Sequence, residues 1–156
     1  MKRLFIILLL LPALYMVACK KAKGPASPPS VQPNDSFSAS ISAVVNGIPW
    51  QTDSAFAYRV VSSGNDTSKS NLFISAIQKS NSATISFSIT NYAGPATYNI
   101  SPPYNTATYY AHTSRHYAST GQLVITSDTG ATITGTFHFM TDSFNVTNGD
   151  FTLAHP

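Results

Sequence analysis

The chain has 156 residues, one cysteine, no glutamate and a formal charge of +3 at pH 7. Five of its nine basic residues lie in the first 23 positions, so residues 37–156 carry four basic side chains against five aspartates. This balance excludes a basic surface for nucleic acid. A single cysteine excludes an internal disulfide, and the abundance of Ser and Thr where helical proteins carry Glu and Lys favours an all-β chain.

A basic pair, Lys2-Arg3, follows Met1, and an uncharged apolar run over residues 4–18 comes next. A membrane-spanning helix needs about 20 such residues, whereas this run is shorter and contains Pro12, as is typical of a cleaved signal peptide. Its end, Met16-Val17-Ala18-Cys19, resembles a bacterial lipobox. The resemblance implies that residues 1–18 are removed and that Cys19 carries a lipid anchor, which explains a lone exported cysteine. A plain secretory signal beside a chance cysteine is the alternative.

Residues 19–36 are predicted to be the lipidated cysteine and a linker rich in proline and serine. The segment lacks hydrophobic periodicity, and a proline-rich chain of this length reaches about 50 Å at about 3 Å per residue. The remaining residues, 37–156, are sufficient for a single domain with one hydrophobic core. The predicted order is therefore a signal peptide, a tether and one folded domain.

In this domain, apolar and polar residues alternate with a period of two, which predicts β-strands. Over residues 83–90, Ile85, Phe87 and Ile89 point to one face and the Ser and Thr residues between them to the other. Asn46-Gly47 is a strong hairpin signal. Further strands are predicted at 37–45, 54–61, 71–78, 96–100, 107–112, 121–127, 131–140 and 144–153. About nine or ten strands at this spacing indicate an antiparallel β-sandwich or a barrel-like domain.

Five short motifs punctuate the domain: Asn46-Gly47 with Trp50, Gly94 with Tyr98, Gly121–Thr126, Gly135–Phe139 and Gly149–Phe151. Their order over about residues 40–153 resembles a family of small Bacteroidota lipoproteins of unknown function. The resemblance implies an all-β domain anchored to a membrane, and it assigns no catalytic residue. The glycines fit turns and bulges, and the aromatic residues fit core positions.

Tyrosines concentrate in the middle of the domain, where six of the eight lie between residues 92 and 117. Tyrosine combines a flat apolar face with a polar tip, which suits contacts with proteins or glycans. The alternative is that these rings pack between strands or at sheet edges. The predicted binding surface consists of Tyr92, Tyr104, Tyr109, Tyr110 and Tyr117.

Two patterns suggest catalysis or metal binding, and each has a simpler explanation. Asp128-Thr129-Gly130 resembles the active-site triplet of retroviral-type aspartic proteases, in which two aspartates share a proton. A single triplet would require a homodimer with Asp128 from each copy, whereas an Asp-x-Gly turn between two strands accounts for the same residues. His112 and His116 are four residues apart, which on a helix would place both on one face for a metal, but the local sequence is not typical of a helix. On a strand they would lie about 13 Å apart, too far for one zinc ion. No metal, cofactor or catalytic residue is therefore predicted.

The favoured interpretation is a lipid-anchored protein of the cell envelope that acts as a non-catalytic binding or scaffolding module. The alternative is a hydrolase, such as a homodimeric aspartic protease. The predicted partners are the membrane, through the lipid anchor, and an envelope protein or glycan. Lipoproteins that Bacteroidota export to the cell surface tend to carry acidic residues just after the lipidated cysteine, whereas Lys20-Lys21-Ala22-Lys23 follows it here. The resemblance therefore implies an outer-membrane location with the domain facing the periplasm.

Overall fold

A computed structural model of the chain describes residues 39–52, 54–61, 70–111 and 113–154. Within these ranges the chain forms β-strands and no helix, which confirms the all-β prediction. The predicted signal peptide, the lipidation site Cys19 and the linker lie outside the described residues, as does His112. None of the described segments is a helix that could cross a membrane.

Eleven strands are described, all paired antiparallel: β1 (Ser40–Val45), β2 (Ile48–Gln51), β3 (Ser54–Val61), β4 (Ser70–Gln78), β5 (Ala83–Tyr92), β6 (Thr97–Ile100), β7 (Thr106–Ala111), β8 (Ser114–Tyr117), β9 (Thr120–Asp128), β10 (Thr132–Met140) and β11 (Asn145–Ala154). One sheet has the spatial order β2-β1-β11-β10-β9-β6, and the other has the order β3-β4-β5-β7-β8. The two sheets share one hydrophobic core, so the architecture is a β-sandwich.

The core lies between the inner faces of the sheets, as the period-two alternation predicts. Ile85, Phe87 and Ile89 of β5 are buried, while the Ser and Thr residues between them are half-exposed on the outer face. The ring of Phe87 meets Phe137 and Phe139 of β10 edge-on, with centroid distances of 5.0 and 5.7 Å. These edge-to-face contacts join the two sheets.

The two Gly-x-Phe motifs of β10 and β11 pair with each other across the sheet. Gly135 lies opposite Phe151, and Phe137 lies opposite Gly149, so each phenylalanine ring covers the glycine of the other strand. A Cβ atom on Gly149 would lie 2.5 Å from Cγ of Phe137, and one on Gly135 would lie 2.6 Å from Cζ of Phe151. Gly149 is therefore required by the packing of a ring on the backbone, and at Gly135 the carbonyl oxygen of Val124 on β9 also excludes a side chain.

Local turn chemistry explains two irregularities. Asn46 and Gly47 both have positive φ, 49° and 82°, as the predicted two-residue hairpin between β1 and β2 demands. Asn148 has a φ of 51°, and β11 carries an extra residue there relative to both of its neighbours, so the predicted turn or bulge is a bulge.

The strand β8 lies between the predicted strands 107–112 and 121–127, in residues 113–119, where the sequence pattern predicts no strand. Its residues Ser114–Tyr117 show no apolar alternation, because β8 is an edge strand in which only His116 is partly buried. Pairing with β7 makes the segment a strand, and the described strands therefore number one or two more than predicted.

Candidate functional site

The outer face of the five-stranded sheet forms a shallow groove with a volume of about 400 Å³. The groove runs across all five strands, from the edge strand β3 to the edge strand β8. Small hydroxyl side chains form its floor: Ser75, Ser86, Ser88, Thr106 and Thr108. Larger side chains, which extend further from the sheet than these hydroxyl residues, form a wall at each end of the groove. We call this feature the aromatic groove.

The first wall of the aromatic groove consists of Phe56, Tyr58 and Phe73. The rings of Tyr58 and Phe73 are stacked with centroids 5.0 Å apart, and Phe56 stacks on Tyr58 at 6.1 Å. Phe56 is 50% exposed and Tyr58 is 42% exposed. In β3 the alternate positions are alanines, and Ala57 is buried against the core, so the strand turns its large rings toward solvent. Half-exposed rings in one row are a common property of binding surfaces.

The second wall belongs to β8 and consists of Tyr117 and Arg115. Tyr117 is 61% exposed. The Nη1 atom of Arg115 donates a hydrogen bond of 3.4 Å to Oη of Tyr117, and the guanidinium lies 6.0 Å from the ring centroid. Arg115 is the charged side chain among the residues that line the groove, so the groove is otherwise neutral.

The hydroxyl groups of the floor are available to a ligand. Cross-strand pairing places Ser75 opposite Ser86, and Ser86 opposite Thr108, in one row between Phe56 and Tyr117. All five floor residues are half-buried, and in the described part of the chain their hydroxyls form no hydrogen bond. Each hydroxyl can donate one hydrogen bond and accept two. The aromatic groove therefore offers uncommitted polar groups between two apolar walls.

Of the tyrosines predicted to form a binding surface, only Tyr117 lines this groove. Tyr110 lies on the same face of the sheet, half-buried and opposite Arg115. Tyr104 is 71% exposed in the loop between β6 and β7, and it does not line the groove. The structure therefore places two of the five predicted tyrosines on one face.

Tyr92 and Tyr109 are interior residues, which corrects their assignment to a surface. Tyr109 is 6% exposed and packs edge-on against Phe144 at 4.7 Å, because adjacent residues of a strand point to opposite faces and Tyr110 takes the outer one. Tyr92 is 1% exposed. An extra residue in β5 near Asn91, whose φ is 56°, changes the alternation and turns Tyr92 inward.

Asp128 has a structural role in the turn after β9. Its Oδ1 accepts a hydrogen bond of 2.9 Å from the backbone N–H of Gly130, and its Oδ2 accepts one of 2.7 Å from Oη of Tyr92. Burial and this hydrogen bond raise the pKa of Tyr92, while the guanidinium of Arg59 lies 5.6 Å from its ring centroid. The Asp-x-Gly turn thus joins the two sheets, and this arrangement favours the turn over the protease interpretation of Asp128.

His116 forms a small polar contact at the sandwich edge. Its Nδ1 atom donates a hydrogen bond of 3.0 Å to Oδ1 of Asp142, and its ring packs against Phe144 at 4.8 Å. This hydrogen bond lowers the pKa of Asp142. No group of three or more His, Cys, Asp or Glu side chains that could hold a metal occurs among the described residues.

Sequence reasoning missed Phe56, Tyr58, Phe73 and Arg115 as site residues. The available signal was the alternation Ala55-Phe56-Ala57-Tyr58, in which small residues occupy one face of a strand and rings the other. In most strands such a pattern buries the rings. Here the alanines face the core, and only the packing of the two sheets determines this orientation.

The comparisons with known proteins concern the whole sandwich. A family described as a domain of unknown function, DUF6252, matches residues 38–153, which span nearly all of the described strands. No curated protein and no solved structure matches the chain. The match confirms the prediction of a family of unknown function, and the chain belongs to the DUF6252 domain family.

Proposed function

We propose that the protein is a non-catalytic binding module that holds a carbohydrate chain in the aromatic groove. The observation that carries the proposal is the juxtaposition of half-exposed rings and uncommitted hydroxyls on one sheet face. A sugar ring has an apolar face of C–H groups and an edge of hydroxyls. The exposed parts of the Phe56, Tyr58 and Tyr117 rings fit the first, and the Ser and Thr floor fits the second.

The size and charge of the groove define the ligand further. Four inter-strand spacings of about 4.8 Å each separate β3 from β8, so the two walls of the groove lie about 19 Å apart. This length suits a short oligosaccharide. Arg115 provides one positive charge at the β8 end. The fit is therefore to a neutral glycan or to one that carries a single acidic group beside Arg115. A protein partner would require an apolar centre, whereas the centre of this groove is hydroxylated.

Binding of purified envelope polysaccharides to the full-length protein in detergent tests the proposal. We expect Phe56→Ala and Tyr117→Ala each to weaken binding about tenfold, which corresponds to about 1.4 kcal/mol. Tyr104→Ala is the matched control, because Tyr104 is exposed outside the groove. Binding of no glycan by the wild-type protein would refute the proposal. Capture of an envelope protein that depends on Phe56 and Tyr117 would replace the glycan with a protein partner.

We further propose that the module is lipid-anchored through Cys19 in the outer membrane and faces the periplasm. The support is the leader sequence, which ends in Met16-Val17-Ala18-Cys19, and the lysines after it. A tether of up to about 50 Å would let the groove reach glycans that are not at the membrane surface. Incorporation of labelled fatty acid should be lost in Cys19→Ala. Release of the domain by protease from intact cells would contradict the periplasmic orientation.

A further inference from the structure

A second cavity, of about 320 Å³, lies at one end of the sandwich between the β1–β2 hairpin and the β4–β5 turn. Its lining includes the aromatic side chains of Trp50, Tyr109 and Phe144 together with Val45 and Ile48. We call it the end pocket. It shares no lining residue with the aromatic groove. The end pocket is at the lower end of the size range of small-molecule sites.

Two polar groups in the walls of the end pocket have no partner. Trp50 is 3% exposed, and its buried Nε1–H finds no acceptor in the described part of the chain. Tyr109 is 6% exposed, and its hydroxyl also forms no hydrogen bond to any described residue. Burial raises the pKa of Tyr109, so the hydroxyl keeps its proton and remains a donor. The indole N–H is the buried donor of this pair, whereas the Tyr109 hydroxyl remains accessible to solvent. A buried donor without an acceptor is rare in folded proteins, and an acceptor from a ligand would satisfy it.

The amide side chains of the end pocket add to its donor character. Both amide atoms of Asn46 already have a partner, since Nδ2 donates to the carbonyl of Ser143 and Oδ1 accepts from Asn145 N–H. Asn81 uses its Oδ1 to accept from the N–H of Ala83, which leaves its amide N–H groups for other acceptors. No Lys, Arg, Asp or Glu lines the pocket. Gln78 also lines the pocket, and its amide can both donate and accept. The end pocket thus offers several donors, at least one acceptor and no charge.

We propose that the end pocket binds a small uncharged cyclic molecule that carries a carbonyl oxygen. The flat walls formed by Trp50, Tyr109 and Phe144 accept the ring, and the carbonyl oxygen accepts hydrogen bonds from Nε1 of Trp50 and Oη of Tyr109. A charged ligand is disfavoured, because no side chain of opposite charge lines the pocket to offset its desolvation. Since Nε1 is closed to solvent, the ligand reaches it only with a small displacement of the covering side chains.

The chain has one tryptophan, so its indole N–H gives a single NMR signal that reports on the end pocket directly. The probe is caprolactam, a neutral cyclic amide, added to the full-length protein in detergent. We expect a saturable downfield shift of the indole proton in the millimolar range. Azepane, which has the same ring without the carbonyl and is cationic at pH 7, and cyclohexanecarboxylate, which is anionic, should bind at least tenfold more weakly.

Variants separate this site from the aromatic groove. Tyr109→Phe removes the hydroxyl and keeps the ring, and we expect it to weaken caprolactam binding about three- to tenfold. Tyr104→Phe, an exposed tyrosine outside the pocket, and Phe56→Ala, in the groove, should leave it unchanged. The absence of a saturable shift, equal binding of azepane, or an unchanged affinity in Tyr109→Phe would overturn the proposal. None of these results bears on glycan binding by the groove.

Discussion

Gly149→Ala tests whether the paired Gly-x-Phe motifs are the structural centre of the six-stranded sheet. The new Cβ atom would lie 2.5 Å from Cε2 and from Cγ of Phe137, whereas ordinary contacts begin at 3.4 Å. The ring would have to move by about 1 Å, and it has little room, because Phe137 is buried and Phe87 lies 5.0 Å from it. No positive φ is involved at Gly149, so the cost arises from packing alone.

Insertion of one methyl group into a packed core costs about 1–3 kcal/mol. Since the buried ring of Phe137 has little room to move, we expect a cost at the upper end of this range, about 3 kcal/mol, for Gly149→Ala. For a domain of this size, each kcal/mol lowers Tm by about 4 °C, so Tm should fall by about 12 °C. Urea and thermal unfolding, followed by the fluorescence of Trp50, measure both quantities.

Two comparisons make this prediction specific. Gly130→Ala places its Cβ in open space at a φ of 78°, so it isolates the cost of backbone strain, about 1–2 kcal/mol. The double variant Gly149→Ala/Phe137→Leu should recover at least 1 kcal/mol relative to the sum of the single variants, because leucine has no ring to meet the new methyl. A loss below 0.5 kcal/mol in Gly149→Ala, or additivity in the double variant, would refute the reasoning.

Three further predictions concern the polar contacts and the groove. Tyr92→Phe removes the hydrogen bond to Asp128 and should lower the free energy of unfolding by about 1.5 kcal/mol in urea unfolding; an unchanged midpoint would contradict a structural role for this contact. The hydrogen bond from His116 lowers the pKa of Asp142, so the native state binds fewer protons than the unfolded state. The contribution of this contact is present above the ordinary aspartate pKa of 3.8 and is lost as pH falls through the lower native value. Asp142→Asn should therefore flatten the acid limb of the stability profile, and an identical limb would exclude the contact as its source. Phe56→Ala should cost about 1 kcal/mol of stability or less, because the ring is half-exposed, and a circular dichroism melt that shows a larger loss would give Phe56 a core role instead.

Part of the candidate site was open to sequence reasoning. The abundance of tyrosine between residues 92 and 117 indicated a surface, and Tyr110 and Tyr117 do share the outer face of the five-stranded sheet. Composition alone could not show that Tyr92 and Tyr109 are buried whereas Tyr110 and Tyr117 lie on the outer face. Whether a ring points to the core or to solvent depends on which alternate residues of its strand face inward. The bulge near Asn91 exchanges the inward and outward positions, and the local sequence gives no clear signal of it.

The end pocket also could not be predicted from the sequence. Trp50 was identified only as part of a turn motif after Asn46-Gly47. Its partners in the pocket, Tyr109 and Phe144, come from β7 and from the loop before β11, nearly a hundred residues along the chain in the second case. Only the packing of the two sheets brings these rings together, so no window of the sequence contains the site.

The sequence alone determined the features that depend on neighbours along the chain. Period-two alternation defined the buried faces of β5 and its neighbours, and Asn46-Gly47 defined a hairpin, because strand pleating and turn geometry are local properties. Tertiary structure decided which strands pair and how the sheets face each other. That pairing puts Phe56 and Tyr117, from opposite edges of one sheet, at the two ends of a single groove, since contacts across a sheet join residues that are remote in sequence.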